Sequence, residues 1–294
     1  MTEPPRPAAA DGSAGATGLA RTAEPLRSAS PEGRAGLDAL LADPWRALIG
    51  TDFDGTLSPI VPDPRDARAH PGAVPVLAAL ATVVGTLAVI TGRPAAEAVA
   101  LGGLDAVPGL IVLGHYGGER WQDGELTVPP PSPAIQAARD ALPGVLAAAA
   151  AGTRVEDKDY ALAVHTRRAA DPEAALRALR GPLGDLAARL GLTVEPGRLV
   201  LELRPPGVDK GSALTALVRE RAAGSVLFCG DDLGDLPAFA AVRALRTRGV
   251  PGCAVASAST ESPQVAAAAD LTVPGPDAIV ALLIALAATL GVSP

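Results

Sequence analysis

The stretch RALIGTDFDGTLSPI, from Arg46 to Ile60, places an apolar run directly before two aspartates that are separated by one residue. The apolar run predicts a buried β-strand, and Gly55 allows the chain to turn sharply after it. In open α/β sheets, ligands bind at the carboxyl ends of the strands. The stretch therefore predicts a functional site that contains Asp52 and Asp54, although Asp-x-Asp-Gly on its own is also a common turn.

The sequence on both sides of this stretch alternates short apolar strands with helical segments. The strands TLAVIT and GLIVLG follow it directly, and SVLFCG and GCAVAS come much later in the chain. Alternation of this kind indicates βαβ units around a parallel sheet. We therefore predict an α/β fold with a Rossmann-like parallel-sheet core.

The sequence between the two halves of this pattern has a different character. The segment ERWQDGELTV contains the Asp-Gly signal of a β-hairpin, and RVEDKDYALAVHTR and LTVEPGRLVLELR are typical of antiparallel strand pairs. These features predict an α+β domain over residues 117–204, inserted into a core that consists of residues 36–116 and 205–294. Residues 1–35 are rich in Pro, Ala, Gly and Ser without apolar periodicity, so we expect a disordered tail there.

The composition narrows the classes of function. The chain has 294 residues, 48% of them hydrophobic, and a formal net charge of −7. This charge argues against a general binder of nucleic acid or of anionic membranes, because no positive field collects phosphate polymers. No apolar stretch reaches the roughly 18 to 20 residues of a membrane span, and the N-terminus does not read as a signal peptide. Cys229 and Cys253 are expected to be buried free thiols, so we predict a cytoplasmic protein. As a separate expectation, the protein is a monomer.

Polar residues occur where four segments reach the same edge of the predicted sheet. They are Asp52 and Asp54, then Thr91 with Arg93, then Lys210, and finally Asp231 and Asp232 with Asp235 beyond them. The set combines carboxylates, a hydroxyl and a lysine. Oxygen ligands of this kind suit a hard cation, and Mg²⁺ is favoured where a substrate phosphate and water supply the other ligands. The sequence therefore predicts a Mg²⁺ site for phosphate chemistry.

The first two aspartates suit a two-step hydrolysis of a phosphate ester. Asp52 is predicted to attack phosphorus and form an aspartyl-phosphate, which divides the reaction into two easier steps. Asp54 is predicted to protonate the leaving oxygen and then to deprotonate the attacking water. Thr91 and Lys210 would bind phosphoryl oxygens and stabilise the charge in transfer. Taken singly, Thr91 could instead cap a helix, and Lys210 could be a solvated surface residue.

The metal site is predicted from Asp52, Asp231 and the main-chain carbonyl of Asp54. Asp232 and Asp235 are predicted to be further ligands or to support the ligands. A calcium-binding turn is an alternative for the segment GDDLGD, but this segment lacks the spaced oxygens and the closing glutamate of an EF-hand loop.

The motifs of the chain resemble those of a known superfamily. The segments DFDGT and VITGR, then Lys210, then GDDLGD are similar, in this order, to the four motifs of haloacid dehalogenase-type phosphatases. More narrowly, DFDGTLSPIV, VITGRP, VEDK, VLELRPPGVDKGSAL and GDDLGDLPAF resemble the trehalose-6-phosphate phosphatase family over about residues 46–273. The resemblance implies a Rossmann-like core of haloacid dehalogenase type with a mobile inserted cap, dependence on Mg²⁺, and hydrolysis of trehalose 6-phosphate to trehalose and phosphate.

The resemblance also implies residues that contact the sugar. Family segments similar to VEDK and to Glu-x-Arg-Pro contact the substrate, which assigns this role to Glu156, Lys158 and Glu202. Arg93 and Glu119 are further candidates at the cleft, and His165 is a candidate with a partly buried structural role as its alternative. The polar positions of the insert could also be only a solvated sheet face.

Two departures from the family pattern concern the substrate contacts. The family commonly has G-x-H-G-x-E before the cap, where this chain has GHYGGE with Tyr116 in the place of the histidine and His115 before it. It also commonly has G-D-D-x-T-D-E, where this chain has Gly234 and Leu236. A lost hydrogen bond in a polyol site can change which sugar is preferred.

Several functions are compatible with these motifs. The first is hydrolysis of trehalose 6-phosphate in trehalose biosynthesis, with a functional pairing with a trehalose-phosphate synthase as a further hypothesis. The alternatives are a phosphatase for another sugar phosphate, such as that of sucrose or glucosylglycerol, a phosphomutase, and a non-catalytic sugar-phosphate-binding partner of a trehalose-phosphate synthase. Neither nucleic acid nor a membrane is an expected partner.

Overall fold

The stretch that contains Asp52 and Asp54 follows a central strand of a large mixed sheet. A computed structural model describes residues 29–130, 132–197, 199–258 and 263–294. In these ranges, eight strands form one sheet in the order β12-β11-β10-β1-β2-β3-β4-β5. The strands are β1 (Ala47–Thr51), β2 (Thr86–Ile90), β3 (Ile111–Gly114), β4 (Glu119–Gln122), β5 (Glu125–Thr127), β10 (Ser225–Gly230), β11 (Gly252–Ser257) and β12 (Leu271–Val273). All residues of β1 are buried, and β1 pairs in parallel with both β10 and β2.

Helices cover both faces of this sheet, which is why its central strands read as continuous apolar runs. One face packs against α1 (Pro31–Ala42), α2 (Ala73–Ala81), α3 (Ala95–Gly102) and α9 (Gly275–Thr289). The opposite face packs against α6 (Lys210–Glu220), α7 (Leu236–Arg246) and α8 (Pro263–Ala268). Successive residues of β1 point to opposite faces, so Leu48 and Ile49 belong to the two different apolar layers. This arrangement confirms the predicted α/β fold.

The middle part of the chain forms a second sheet. Its order is β6-β7-β9-β8, and each neighbouring pair is antiparallel. The strands are β6 (Arg154–Asp157), β7 (Leu162–His165), β8 (Thr193–Gly197) and β9 (Val200–Arg204), and the helices on one face are α4 (Pro133–Val145) and α5 (Pro172–Leu190). Leu162, Val164, Leu201 and Leu203 pack under these helices, as the alternation of the sequence predicts. The opposite face carries polar side chains.

The hairpin of β4 and β5 belongs to the large sheet rather than to the second one. β4 pairs antiparallel with β3, and β5 pairs antiparallel with β4. The turn between them has positive φ at Asp123 (51°) and Gly124 (85°), as the Asp-Gly signal predicts. The hairpin covers the open edge of β3. The limits of an inserted domain over residues 117–204 stay a prediction, but the hydrogen bonds join residues 119–127 to the core sheet.

The predicted disordered tail over residues 1–35 is wrong from Pro31 onward, because helix α1 begins there. Ser30 caps this helix, since its side-chain oxygen accepts a hydrogen bond from the Gly33 N–H at 3.0 Å. Proline suits the first helical position because its missing N–H would be unpaired there in any case. The rest of the predicted tail, residues 1–28, lies outside the described residues.

Two further expectations concern cysteines and membrane spans. Cys229 and Cys253 are free and buried, as predicted. Among the described residues, no helix combines the length and the apolar character that crossing a bilayer requires.

The contact between α1 and β11 gives the first testable prediction. A Cβ added to Gly36 would lie 2.2 Å from backbone atoms of Gly252, so Gly36→Ala is expected to lower the free energy of unfolding by about 1–3 kcal/mol through overpacking. Gly184→Ala is the matched control, because beyond its chain neighbours and the nearby backbone of α5 no atom of the described residues lies within 4 Å of a Cβ at this position. The control is expected to raise stability by up to about 1 kcal/mol. Urea denaturation of both variants measures the difference, and equal effects would contradict the packing of α1 on the sheet.

Candidate active site

The loop after β1 meets the loop after β10 at the carboxyl edge of the sheet. Asp52 is buried, and its backbone N–H donates a hydrogen bond to the Cys229 carbonyl oxygen at 2.8 Å. Gly55 has a φ of 73°, and a Cβ there would lie 2.0 Å from Asp231 Oδ2. A left-handed backbone and a missing side chain are both properties of glycine. Gly55 therefore allows the two carboxylate loops to approach each other.

Lys210 forms a buried ion pair with two carboxylates. Its Nζ lies 2.9 Å from Asp52 Oδ1 and 2.7 Å from Asp235 Oδ1. Burial opposes the charge on Lys210, but the carboxylates of Asp235 and Asp52 outweigh it and raise the pKa of the ammonium well above its ordinary value. Burial raises the pKa of Asp52, and Lys210 opposes that rise. The lysine that sequence reasoning could have assigned to the surface thus lies within the acidic cluster.

Asp235 holds the loop after β10 in its conformation. Its Oδ2 accepts hydrogen bonds from the backbone N–H groups of Asp231 at 2.9 Å and of Asp232 at 3.1 Å. Asp232 Oδ1 in turn accepts from the Gly234 N–H at 2.8 Å, which completes a capping box. Burial raises the pKa of Asp235 to about 6, and Lys210 opposes that shift. Both oxygens of Asp235 are therefore engaged with protein groups.

Asp231 has the properties of a cation ligand. Its Oδ1 is buried, and among the described residues no donor reaches it. Carboxylate oxygens of Asp52, Asp231, Asp232 and Asp235 lie within 4.8 Å of one another. Burial, together with Asp235 and Asp232, raises the pKa of Asp231 to about 8. A buried carboxylate without a donor is costly unless a proton or a cation neutralises it, so this donor set fits a divalent cation with oxygen ligands.

Thr91 and Ser257 support the same edge of the sheet. Thr91 follows β2, and its backbone N–H donates to the Leu113 carbonyl while its Oγ1 accepts from the Arg93 N–H at 3.2 Å. Ser257 ends β11, and its hydroxyl donates to the Gly55 carbonyl oxygen at 2.6 Å. Sequence reasoning missed Ser257, although its position as the last residue of an apolar strand was a signal for this edge.

Arg93 pairs with Asp54. Its Nε lies 2.6 Å from Asp54 Oδ2 and its Nη2 lies 2.8 Å from Asp54 Oδ1, which makes the contact bidentate. The same guanidinium donates to Glu97 Oε1 and to the Pro64 carbonyl oxygen. The substrate contact that the sequence predicts for Arg93 stays a prediction, and the hydrogen bonds of its guanidinium go to protein groups.

The polar face of the second sheet carries the predicted sugar contacts. Lys158 Nζ lies 2.8 Å from Glu202 Oε2, and this pair is largely buried. His165 Nε2 lies 2.8 Å from Glu156 Oε2, and this pair is more exposed. The register aligns Glu156 with Ala163 and Ala163 with Glu202, so these residues share one face of the sheet. The structure therefore brings all of these candidates onto one face of the second sheet.

Glu119 caps helix α3. Its Oε2 accepts a hydrogen bond from the Ala95 N–H at 2.8 Å, and its Oε1 lies 3.5 Å from His115 Nε2. A carboxylate at a helix N-terminus satisfies an otherwise unpaired donor and interacts favourably with the helix dipole. The sequence does not predict this capping contact, and the substrate contact that it suggests for Glu119 stays a prediction.

Tyr116 lies where the two sheets meet. A Cβ added to Gly92 would lie 2.8 Å from Tyr116 Oη, and the guanidinium carbon of Arg204 lies 4.9 Å from the centre of the Tyr116 ring. Both His115 and Tyr116 have positive φ, at 48° and 61°. Backbone strain of this kind costs about 1–3 kcal/mol per residue and persists only where the surroundings enforce it.

Comparisons with protein sequences identify the relatives of this chain. The trehalose-phosphatase family model matches residues 50–277. The trehalose-phosphate phosphatase of Mycobacterium avium (strain 104) is 36% identical over 225 residues, which are 68% of this chain and 52% of that protein. The trehalose-phosphate phosphatase of Mycobacterium leprae (strain TN) is also 36% identical, over 68% of this chain and 48% of that protein. The chain spans about half the length of these curated relatives.

Solved structures share the architecture. The trehalose-6-phosphate phosphatase of Aspergillus fumigatus has a TM-score of 0.65 and 27% identity, and the match covers 86% of this chain and 97% of that one. A haloacid dehalogenase-like hydrolase from Bacteroides thetaiotaomicron has a TM-score of 0.55 and 18% identity, with 79% of this chain and 95% of that chain covered. The second likeness concerns the fold alone. Together they confirm the predicted fold class of haloacid dehalogenase type.

The buried ion pair of Lys210 gives a prediction on stability. Lys210→Met leaves the carboxylates of Asp52 and Asp235 without their cation, and it is expected to lower the free energy of unfolding by about 3–5 kcal/mol. Lys158→Met is the matched control, since it removes a lysine at a similar distance from a carboxylate but with a more exposed ammonium. The control is expected to lower the free energy of unfolding by a clearly smaller amount. Thermal and urea denaturation measure both losses, and a loss for Lys210→Met no larger than that of the control would contradict the buried pair.

Proposed function

The chain belongs to the trehalose-phosphatase family, and we propose that it is a phosphatase that hydrolyses trehalose 6-phosphate to trehalose and phosphate. The family match over residues 50–277 includes every motif at the carboxyl edge of the large sheet. The observation that carries the proposal is the cluster of Asp52, Lys210 and Asp231 at this edge, with Asp54 two residues after Asp52 in the sequence. This set contains a nucleophile, a cation for the developing charge, and oxygen ligands for a metal ion.

The reaction proceeds in two steps at Asp52. The carboxylate of Asp52 attacks phosphorus, the bond from phosphorus to the sugar oxygen breaks, and Asp54 gives its proton to that oxygen. In the second step Asp54 takes a proton from water, the water oxygen attacks phosphorus, and the Asp52 carboxylate leaves. Lys210 already contacts Asp52, so it stabilises negative charge on the groups in transfer. Thr91 lies at the end of the adjacent strand, and its hydroxyl donates a hydrogen bond to a phosphoryl oxygen.

Mg²⁺ is the cofactor that we propose for this site. Asp52, Asp231 and the main-chain carbonyl of Asp54 would hold it, and the unpaired Oδ1 of Asp231 supports this assignment. Asp232 is a further ligand or supports the ligands, whereas Asp235 acts through the hydrogen bonds that shape the loop. When bound, the ion neutralises charge on the phosphate and favours its attack by a carboxylate.

The sugar binds to the polar face of the second sheet. We propose that Lys158 donates hydrogen bonds to the disaccharide hydroxyls and that Glu156 and Glu202 accept hydrogen bonds from them. His165 contributes through its contact with Glu156. Residues 117–204 then act as a cap over the core, although the hairpin within them is joined to the core sheet. Closure of such a cap excludes bulk water while the phosphoryl group moves from the sugar to Asp52.

Another sugar phosphate is the second candidate substrate. Tyr116 stands where the family commonly has a histidine, and its ring lies between Gly92 and Arg204 at the junction of the two sheets. A changed group at this junction favours a changed sugar preference. A non-catalytic role beside a trehalose-phosphate synthase and phosphomutase activity are the remaining alternatives. The monomeric state, the cytoplasmic location and a pairing with such a synthase stay predictions.

Phosphate release from a panel of substrates tests the proposed function. With Mg²⁺, the protein is expected to prefer trehalose 6-phosphate over sucrose 6-phosphate, glucose 6-phosphate and glucosylglycerol phosphate by at least about tenfold in kcat/KM. Asp52→Asn is expected to lose at least about 10³-fold in kcat, because the amide is not a nucleophile. Preference for another sugar would contradict the substrate assignment alone. Binding of trehalose 6-phosphate without phosphate release would contradict the proposed phosphatase activity and favour the non-catalytic role.

Metal binding without substrate tests the proposed cation site. Mg²⁺ at about 100 times its dissociation constant is expected to stabilise the protein by about 2.7 kcal/mol, which raises the melting temperature. Asp231→Asn is expected to lose this shift, because one anionic ligand is gone. Asp171→Asn is the control, since Asp171 caps α5 in the second sheet region and asparagine caps a helix equally well. An unchanged shift in Asp231→Asn would contradict the assignment.

A further inference from the structure

The carboxylate of Asp54 is held in place by Arg93. The guanidinium presents Nε and Nη2 as a fork to the two oxygens of Asp54, at 2.6 Å and 2.8 Å. Among the described residues, no other side chain is hydrogen-bonded to this carboxylate. Bidentate pairs of this type fix the orientation of a carboxylate as well as contributing energy.

The guanidinium of Arg93 is itself fixed from several sides. It donates to Glu97 Oε1 and to the Pro64 carbonyl oxygen, and its central carbon lies 5.9 Å from the ring centre of Phe53. Phe53 is completely buried and lies between the two catalytic aspartates in sequence. The side chain of Arg93 retains 11% of its exposure, whereas that of Asp54 retains 32%. The arginine therefore lies behind the carboxylate, and the carboxylate lies closer to solvent.

These contacts leave Arg93 little capacity for a substrate. A guanidinium has five N–H groups, and four hydrogen bonds to protein oxygens already use most of them. Asp54 keeps more freedom to react, because a carboxylate has about four lone-pair sites and the fork occupies one on each oxygen. The remaining sites can carry the proton that the reaction moves.

We propose that Arg93 is a positioning residue, which orients the carboxylate of Asp54 toward the bond between phosphorus and the leaving oxygen. The proposal rests on the proposed function, in which Asp54 donates its proton to the leaving oxygen as that bond breaks. It replaces the substrate contact that the sequence suggested for Arg93. Loss of orientation matters because a displacement of about 1 Å in a catalytic group can cost about 100-fold in rate.

The leaving-group dependence of kcat/KM distinguishes a positioning role of Arg93 from a phosphate contact, a sugar contact or a general structural role. Benzyl phosphate and 4-nitrophenyl phosphate are similar in size and lack sugar hydroxyls, but only benzyl alcoholate needs a proton as it leaves. Since kcat/KM reports the steps up to formation of the phosphoenzyme, Arg93→Gln is expected to lower it by about 100-fold for benzyl phosphate. The value for 4-nitrophenyl phosphate is expected to change little.

A double-mutant cycle tests whether Arg93 acts through Asp54. In an Asp54→Asn background, Arg93→Gln is expected to cause no further loss with benzyl phosphate, because the group that it orients is already inactive. Arg65→Gln is the matched control, since Arg65 makes the same forked contact with the exposed Asp63. Arg93→Lys retains the charge but cannot bridge both oxygens, so this conservative variant, checked by thermal melting, is expected to show the same selective loss.

Three results would overturn the proposal. An equal loss with both esters would indicate a phosphate contact or a general structural role, and a loss confined to trehalose 6-phosphate would indicate a sugar contact. Additive losses in the double mutant would show that Arg93 acts independently of Asp54. Absence of phosphatase activity is a separate result, because in that case the wild-type protein releases phosphate from neither benzyl phosphate nor 4-nitrophenyl phosphate, whereas a phosphatase for another sugar would still release phosphate from both.

Discussion

The buried contact of Lys210 with Asp52 and Asp235 is the interaction on which the rest of the site depends. It joins the end of β1, the start of α6 and the loop after β10, which are far apart in the sequence. Burying three charged groups is costly, and removing one of them is costlier still, because the others then lose their partner. The close approach of Gly55 to Asp231 adds a steric condition to this electrostatic one. Together they hold the carboxyl edge of the sheet as an acidic cluster in contact with the ammonium of Lys210.

Periodicity and motif position could predict the sheet core and the edge at which the site lies. The apolar runs of β1 and β10 end at the predicted aspartates because strands that are buried on both faces leave polar groups only at their ends. The partners of individual side chains could not be predicted in this way. The cap that Glu119 forms on α3 and the pairing of Arg93 with Asp54 are examples of such partners. Such choices depend on three-dimensional approach, which sequence spacing does not encode.

The start of helix α1 and the pairing of the β4–β5 hairpin are not evident from the sequence, and the reasons are local. Helix α1 is rich in small residues, so its apolar stripe is weak, and its start depends on the cap formed by Ser30. The hairpin after β3 looks like the beginning of the insert because it is antiparallel, yet it pairs with the core sheet. The chain reverses there through His115 and Tyr116, which both have positive φ, and the ring of Tyr116 packs between Gly92 and Arg204. This junction connects the catalytic edge to the polar face that would carry the sugar.

The proposed reaction requires that Asp52 becomes phosphorylated during hydrolysis. To detect this intermediate, the protein is mixed with Mg²⁺ and trehalose 6-phosphate, quenched with acid within a turnover and reduced with borohydride, and its peptides are mapped by mass spectrometry. An aspartyl-phosphate is reduced to homoserine, so we expect homoserine in place of Asp52, formed only when substrate is present. Homoserine at Asp54 or Asp231, or phosphate release without reduction of any carboxylate, would contradict it.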